Sequence, residues 1–538
     1  MQKAQLLREI RARFASLAQR MVDVANREKR VPAAETAAGE EWFSGPVISL
    51  RALRLFEAAL LDVSTHGVPR ISEDRVVRHA GRTRVLLTPN DAYESVLYRG
   101  WRSWVELDSE ASKRDLRDSL ATFYRQPAAP GRLVLVLGAG NVASIPVLDV
   151  LYHSFVEGSV CLLKMSPVNA YLGPLLEAAF EPMVTRGYLE FVYGDGELGS
   201  HLTRELRVDA IHITGSLQTH DTVVWGPPGP VRARQRELGE PLTKKRITSE
   251  LGNVGPVFVA PAEYSDAELT RAAENIAGML VHNASYNCNA ARVLVTARGF
   301  VQREELLRRI AAVLERTPTR VAYYPGARSR HEELLTRLAG AEVQRVGTAD
   351  KERLPWTLVK SLSPDEECPL FEAEAFCPIL GEVVLEADDA ADFLPLAPEF
   401  ANERLFGTLN AMWLVPSSLE RDPTLFHALD EGIRALRYGT VSVNIWPAVG
   451  YGMGLTPWGG FPGATLEDPQ SGIGTGHNAA LLDHTEKVIL EGPLLGFPKP
   501  FWCPGHAHLA ELGAALAAFE AEPSFARATR AAWAGVRS

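Results

Sequence analysis

Arg132-Leu133-Val134-Leu135-Val136-Leu137-Gly138-Ala139-Gly140-Asn141-Val142-Ala143 spells an apolar strand that breaks into a glycine turn. Gly138, Gly140 and Ala143 have the Gly-x-Gly-x-x-Ala spacing that lets a backbone turn approach a dinucleotide closely. Around it, the β-rich runs Arg132 to Leu137, Ser159 to Lys164, Leu189 to Val192 and Ala210 to Ile213 are separated by segments long enough for crossover helices. That alternation predicts a parallel sheet built from βαβ units, and therefore an α/β fold. One residue breaks the ordinary pattern. A dinucleotide turn expects an acidic residue at the end of the following strand, and Lys164 stands there instead. A second unit is predicted from Asn253, where the strand Pro256 to Val259 precedes a helix opened by Ser265 and Glu268 at capping-box spacing. Leu269, Ala273, Ile276 and Leu280 give this helix a buried face, and it leads toward His282, Asn283 and Cys288.

The chain has 538 residues, enough for two or three domains and a large core. Acidic residues outnumber basic ones, 66 to 56, so no general positive field would draw in nucleic acid. No apolar run reaches the length of a membrane span, and no membrane or nucleic-acid partner is expected. Five scattered cysteines without a Cys-x-x-Cys pair suggest neither a disulfide framework nor a metal site, and a reducing, cytoplasmic setting is the natural reading. Leu6, Ile10, Phe14, Leu17, Met21 and Val24 predict an amphipathic N-terminal helix, whose acidic residues argue for a packed surface helix over a targeting segment. Pro-rich connectors fall at Gln126 to Gly131 and Trp225 to Pro230.

Seven ordered motifs resemble those of the aldehyde dehydrogenase superfamily. Asn141 and Lys164 stand where that family has an essential Asn and the Lys of Lys-Pro-Ser. Thr214-Gly215-Ser216 is similar to its Phe-Thr-Gly-Ser turn, and Glu250-Leu251-Gly252-Asn253 to its Glu-Leu-Gly-Gly-Lys signature. Asn283-Ala284-Ser285-Tyr286-Asn287-Cys288 resembles the nucleophile motif, and Glu374-Ala375-Phe376-Cys377-Pro378 the Glu-x-Phe-Gly-Pro segment. Gly439 to Asn444 and Pro457 to Gly460 match two late motifs, so the resemblance covers about residues 50 to 500.

The resemblance implies Cys288 as nucleophile, Asn141 with the Cys288 amide as oxyanion donors, and Glu250 as general base. It implies NAD or NADP held by Lys164, Ser166, Gly194, Gly215, Ser216, Leu251, Glu374 and Phe376, with no metal. The chemistry agrees independently: an aldehyde carbon yields hydride readily only after a nucleophile adds, and a Cys thiolate adds well. The implied fold is a Rossmann-like cofactor domain at 1–111 and 132–252, an α/β catalytic domain at 253–445, a return segment at 446–483 and a tail at 501–538. A β-strand oligomerisation extension is expected at 112–131 and 484–500, with the alternating stretch His484 to Leu490 as a docking strand in a homodimer or dimer-based tetramer.

Departures carry information. Pro167 occupies the place of a Glu common in NAD-preferring members, so a 2′-phosphate is not repelled and NADP or dual use is open. Gly140 and Val142 replace bulky aromatics beside Asn141, while Ser285 and Tyr286 replace Gly and Gln in the nucleophile loop. Residues 217–249 read as an inserted surface loop that could cover the adenosine end, and the tail as packing on a partner or on the N-terminal helix, with an Ala-rich helix from His508 to Ala521. The expected function is oxidation of a small-molecule aldehyde to an acid. A CoA-acylating enzyme and a non-catalytic scaffold on the same fold are the alternatives; Glu250 argues against the first and the intact residue set against the second.

Overall fold

The computed structural model describes residues 1–126 and 131–537; most of the connector at 126–131 lies outside the described residues. Five parallel strands form one sheet, in the spatial order Leu189–Val192, Val160–Lys164, Leu133–Leu137, Ala210–Gly215, Arg246–Leu251. Chain direction across this sheet reverses between Leu133–Leu137 and Ala210–Gly215, the place where open α/β sheets bind ligands beyond their carboxyl ends. Leu133–Leu137 and most of Val160–Lys164 are apolar because helices cover both faces, whereas Ala210–Gly215 and Arg246–Leu251 also carry His212, Thr214, Thr248 and Glu250. Leu135, Ile211 and Ile213 pack under Leu217–Trp225 on one side, and Val134 and Val136 face the helix Ile145–Leu151 on the other. The N-terminal helix Gln2–Glu28 joins that second layer through Leu7, Ile10, Phe14 and Met21.

The second sheet has eleven strands. Its centre is parallel: Pro256–Val259 lies between Asn410–Leu414 and Val293–Ala297. The predicted capping box is present, with the Ser265 hydroxyl accepting from the Glu268 N–H and the Glu268 carboxylate accepting from the Ser265 N–H; the helix Asp266–Val281 follows.

Three expectations change. Residues 76–107, placed with the cofactor half, form antiparallel strands at Val76–His79, Arg82–Thr88 and Arg102–Leu107 that extend the larger sheet. The stretch read as a docking strand, Thr485–Glu491, is interior: it pairs with Arg102–Leu107 on one side and Thr440–Val443 on the other, so it offers a partner no free edge. The segment at 112–126 consists of short helical turns, bonded to residues 481–483 just before that strand, among them an isolated bridge between Leu120 and Leu482. The expected loop at 217–249 is instead a helical hairpin, Leu217–Trp225 and Pro230–Leu238, pinned by Asp221, which pairs with Arg236 at 2.6 Å. Pro230 at the first position of a helix is compatible with its missing N–H, which is why a Pro-rich turn and a helix coexist there. The tail forms Leu509–Ala521, packed on the N-terminal helical layer, and a further helix, Phe525–Arg537. No helix among the described residues is long and apolar enough to cross a membrane.

Candidate active site

The helix Asp266–Val281 delivers the chain to a turn that points Cys288 toward the smaller sheet. Asn283, Ala284 and Ser285 all have positive φ, at 51°, 53° and 71°, a conformation that non-glycine residues hold only when the surroundings fix it. They are fixed: Glu40 accepts from the Asn283 N–H at 2.9 Å, and the Arg292 guanidinium donates to the Ser285 hydroxyl at 2.9 Å and carbonyl at 2.7 Å. The Asn283 amide donates to the Asn141 carbonyl at 2.9 Å, tying this turn to the glycine turn of the other sheet. Ser285 thus takes the left-handed geometry for which Gly is favoured, and Tyr286 is buried among Tyr323, Tyr324 and Phe376.

Lys29, just past the N-terminal helix, donates to Glu41 at 2.7 Å and Asn283 at 3.2 Å and lies over the Tyr323 ring. Both ends of the Lys29–Glu41 pair are almost fully buried. Lys29→Met is therefore expected to destabilise the protein by about 3 to 5 kcal/mol by leaving a buried carboxylate unpaired. A chemical-denaturation midpoint within experimental error of the parent would contradict this.

Cys288 Sγ lies 3.7 Å from Glu250 Oε1, and the Trp458 indole N–H donates to the same oxygen at 2.8 Å. Burial, with the Asp149 carboxylate nearby, raises Glu250 to about 7, against the lowering effect of the Trp458 hydrogen bond. Burial and the charges of Glu250 and Glu374 push the Cys288 thiol well up, so the resting group is the thiol with a base beside it. The Asn141 side-chain amide donates to the Tyr286 carbonyl at 3.0 Å, which leaves its second N–H for another acceptor.

Cys288 and Ile145 line two cavities at once. One is a cleft of about 1450 Å³ bounded by Asn141, Lys164, Ser166, Gly215, Ser216, Glu250, Leu251, Glu374 and Phe376, so the expected cofactor set converges with one exception. Gly194 is absent from the lining because it turns toward the side chain of Leu198; Gly196 and Gly199 of the helix Gly196–Arg204 line the cleft in its place. The other cavity, about 110 Å³, lies on the opposite side of Cys288 and is walled by Phe43, Tyr98, Trp101, Trp446 and Phe501. Trp446 belongs to this cavity, Trp458 holds Glu250, and Trp104 lies elsewhere, donating to Glu491.

A dinucleotide suits the larger cleft. A Cβ on Gly140 would fall 2.5 Å from Ser166 Oγ, a close-approach cradle, and Glu374 Oε1 is a buried acceptor without a partner. Burial raises Glu374 to about 7, partly offset by Arg292 and Arg330. Sequence reasoning missed Lys29, Glu40, Asp149, Tyr324 and Arg330, which belong to no local pattern and meet the site only through long-range packing.

Cys288 thus lies between a cleft large enough for a dinucleotide and a small apolar cavity, carried on two α/β sheets. Residues 102–323 match the model of the aldehyde dehydrogenase family. Solved structures of the same fold include the NADP-dependent glyceraldehyde-3-phosphate dehydrogenase of Bacillus halodurans with NADP, at 17% identity and TM-score 0.57, covering 91% of this chain and 86% of that one. A variant of aldehyde dehydrogenase C from Pseudomonas syringae, solved with NAD+ and octanal, aligns at 14% identity and TM-score 0.57 over 90% of this chain and 83% of that one. FUS7 of Gibberella moniliformis, which bears an aldehyde dehydrogenase name, is 24% identical over 339 residues, 60% of this chain and 65% of its own length. The match thus spans just under two thirds of that relative. Residues 102–323 carry the match to the aldehyde dehydrogenase family, and the chain shares the fold of these solved structures.

Proposed function

We propose that the protein oxidises an aldehyde to a carboxylic acid with NAD or NADP, through a thioester on Cys288. The observation that carries this is the place of Cys288 Sγ, shared by both cavities and 3.7 Å from a buried carboxylate. The aldehyde enters the aromatic cavity, whose small apolar volume favours a compact, uncharged substrate. Glu250 takes the thiol proton as sulfur adds to the carbonyl carbon, and the free N–H of Asn141 with the Cys288 amide stabilises the oxyanion. Lys164, Ser166, Gly215 and Glu374 would hold the nicotinamide nucleotide, which when bound supplies the acceptor for hydride. Glu250 then orients and deprotonates the water that cleaves the thioester.

Arg204, Lys244 and Lys245 line the cleft along with Pro167, a setting that accepts an extra phosphate. NADP is therefore expected to serve at least as well as NAD. The test is nicotinamide absorbance with a panel of aldehydes, either nucleotide, with and without CoA. Reduction without CoA supports the proposal; reduction that requires CoA replaces it with acyl transfer to a thiol. A Michaelis constant for NADP orders of magnitude above that for NAD removes the cofactor expectation.

A further inference from the structure

Side chains on a strand alternate faces, so Glu250, Thr248 and Arg246 share one face of the smaller sheet. Thr214 and His212 of the neighbouring strand stand beside Glu250 and Thr248 in register and share it. Elsewhere this sheet is packed with apolar residues, yet this face carries a buried polar column. The Thr214 hydroxyl donates to Asp149 Oδ2 at 2.9 Å, and Asp149 Oδ1 lies 3.5 Å from His212 Nε2. His212 Nδ1 is 2.9 Å from the Thr248 hydroxyl. One helical turn beyond Asp149, the His153 ring stands edge to face on His212, with centroids 4.7 Å apart. His153 Nδ1 is 3.1 Å from Glu157, which pairs with Arg246 at 2.6 Å at the partly exposed end of the column. His153 Nε2 is buried with no partner.

Buried polar groups carry a desolvation cost, so a column of them running from the active site to the surface asks for a reason. We propose that Asp149, His212 and His153 form a proton relay that connects Glu250 to solvent at Glu157. The inference rests on the proposed function, which releases two protons per turnover beside Glu250. The first is the Cys288 thiol proton, lost when sulfur adds to the carbonyl. In hydrolysis the water oxygen bonds to the acyl carbon and the C–S bond breaks. One water proton restores the Cys288 thiol, and the other leaves as the product becomes a carboxylate. With nucleotide in the cleft and aldehyde in the aromatic cavity, the polar column is a route that neither ligand occupies.

The charges along it are graded. Burial lowers His212, but Asp149 more than offsets it and raises the imidazole. Burial lowers His153 despite Glu157, while His153 and Arg246 hold Glu157 down at about 2 against its own burial. His477, also close to Asp149, is lowered to about 4 by burial and stays neutral, with Nδ1 on the Tyr451 carbonyl. Tyr152, Tyr451 and Cys161, also near the column, are raised by burial and remain protonated, and Arg132 stands 3.9 Å from Glu157 at its outer end.

The test separates acylation from hydrolysis. p-Nitrophenyl acetate acylates Cys288 directly, with nitrophenolate release reporting the burst and intact-protein mass reporting decay of the acyl-enzyme. Asp149→Asn and His153→Gln are each expected to keep the burst amplitude and to slow decay at its pH plateau by about tenfold. Added imidazole is expected to restore the rate in the variants and leave the parent unchanged. Loss of the Asp149 charge alone would move the pH midpoint and leave the plateau intact, so unchanged plateaus in both variants overturn the relay. His153→Gln, farther from the site, keeps the test decisive if Asp149→Asn does not fold. A parent protein with no burst overturns the cysteine mechanism itself, an outcome distinct from failure of the relay alone.

Discussion

Cys288→Ser is expected to lower aldehyde-dependent nicotinamide reduction by ~10³-fold or more while leaving nucleotide affinity within a few fold. The hydroxyl is a weaker nucleophile than the thiol, and nothing at the site compensates. Glu250, 3.7 Å from Sγ, rises to about 7 and is suited to a thiol far better than to an alcohol. The nucleotide cleft is built chiefly from the glycine turn, Lys164 and the Gly215 turn, which the substitution does not touch. The other four cysteines, Cys161, Cys368, Cys377 and Cys503, are buried. A single-hit alkylation by iodoacetamide that is absent from the variant would locate the reactive thiol at Cys288. Retention of more than a few per cent of turnover in Cys288→Ser would disprove the covalent route.

What the sequence disclosed follows from how local each signal is. Leu133 to Leu137 and the Ser265 capping box are written in adjacent residues, and each element formed where its pattern stood. Strand partners are not local. Nothing in Val76 to Leu107 says that its neighbour in space is Thr485–Glu491, nearly four hundred residues on, and the same pairing uses both edges of the strand expected to dock on a partner. Gly194 follows from the resemblance alone, whereas the cleft is lined by Gly196 and Gly199, whose exposure to it depends on the pitch of the helix Gly196–Arg204. Asp149 is a single polar residue in an apolar helix, while Lys29 and Glu40 stand beside other charged residues, Glu28, Arg30 and Glu41, that conceal them. Their meaning appears only when burial and partner are known together.

Glu250→Gln is expected to slow the acylation burst, because the amide cannot take the thiol proton, and to cut steady-state turnover by ~10² to 10⁴-fold, because it cannot take a proton from water either. In the parent, turnover should rise with pH through about 7 as the carboxyl ionises, and that limb should vanish in the variant. Stability moves the other way. A carboxyl raised from its ordinary value to about 7 contributes its full stability below pH ~4.3, and loses it progressively as pH climbs through the folded value. The loss amounts to about 3 kcal/mol above neutrality. Glutamine does not titrate and avoids it. The variant should therefore melt at the same temperature as the parent near pH 4.5 and above it at pH 8, while being nearly inactive. Equal melting temperatures at pH 8 would mean that Glu250 is hydrated in solution, and a carboxylate that water already reaches would need neither burial to set its basicity nor a relay to discharge it.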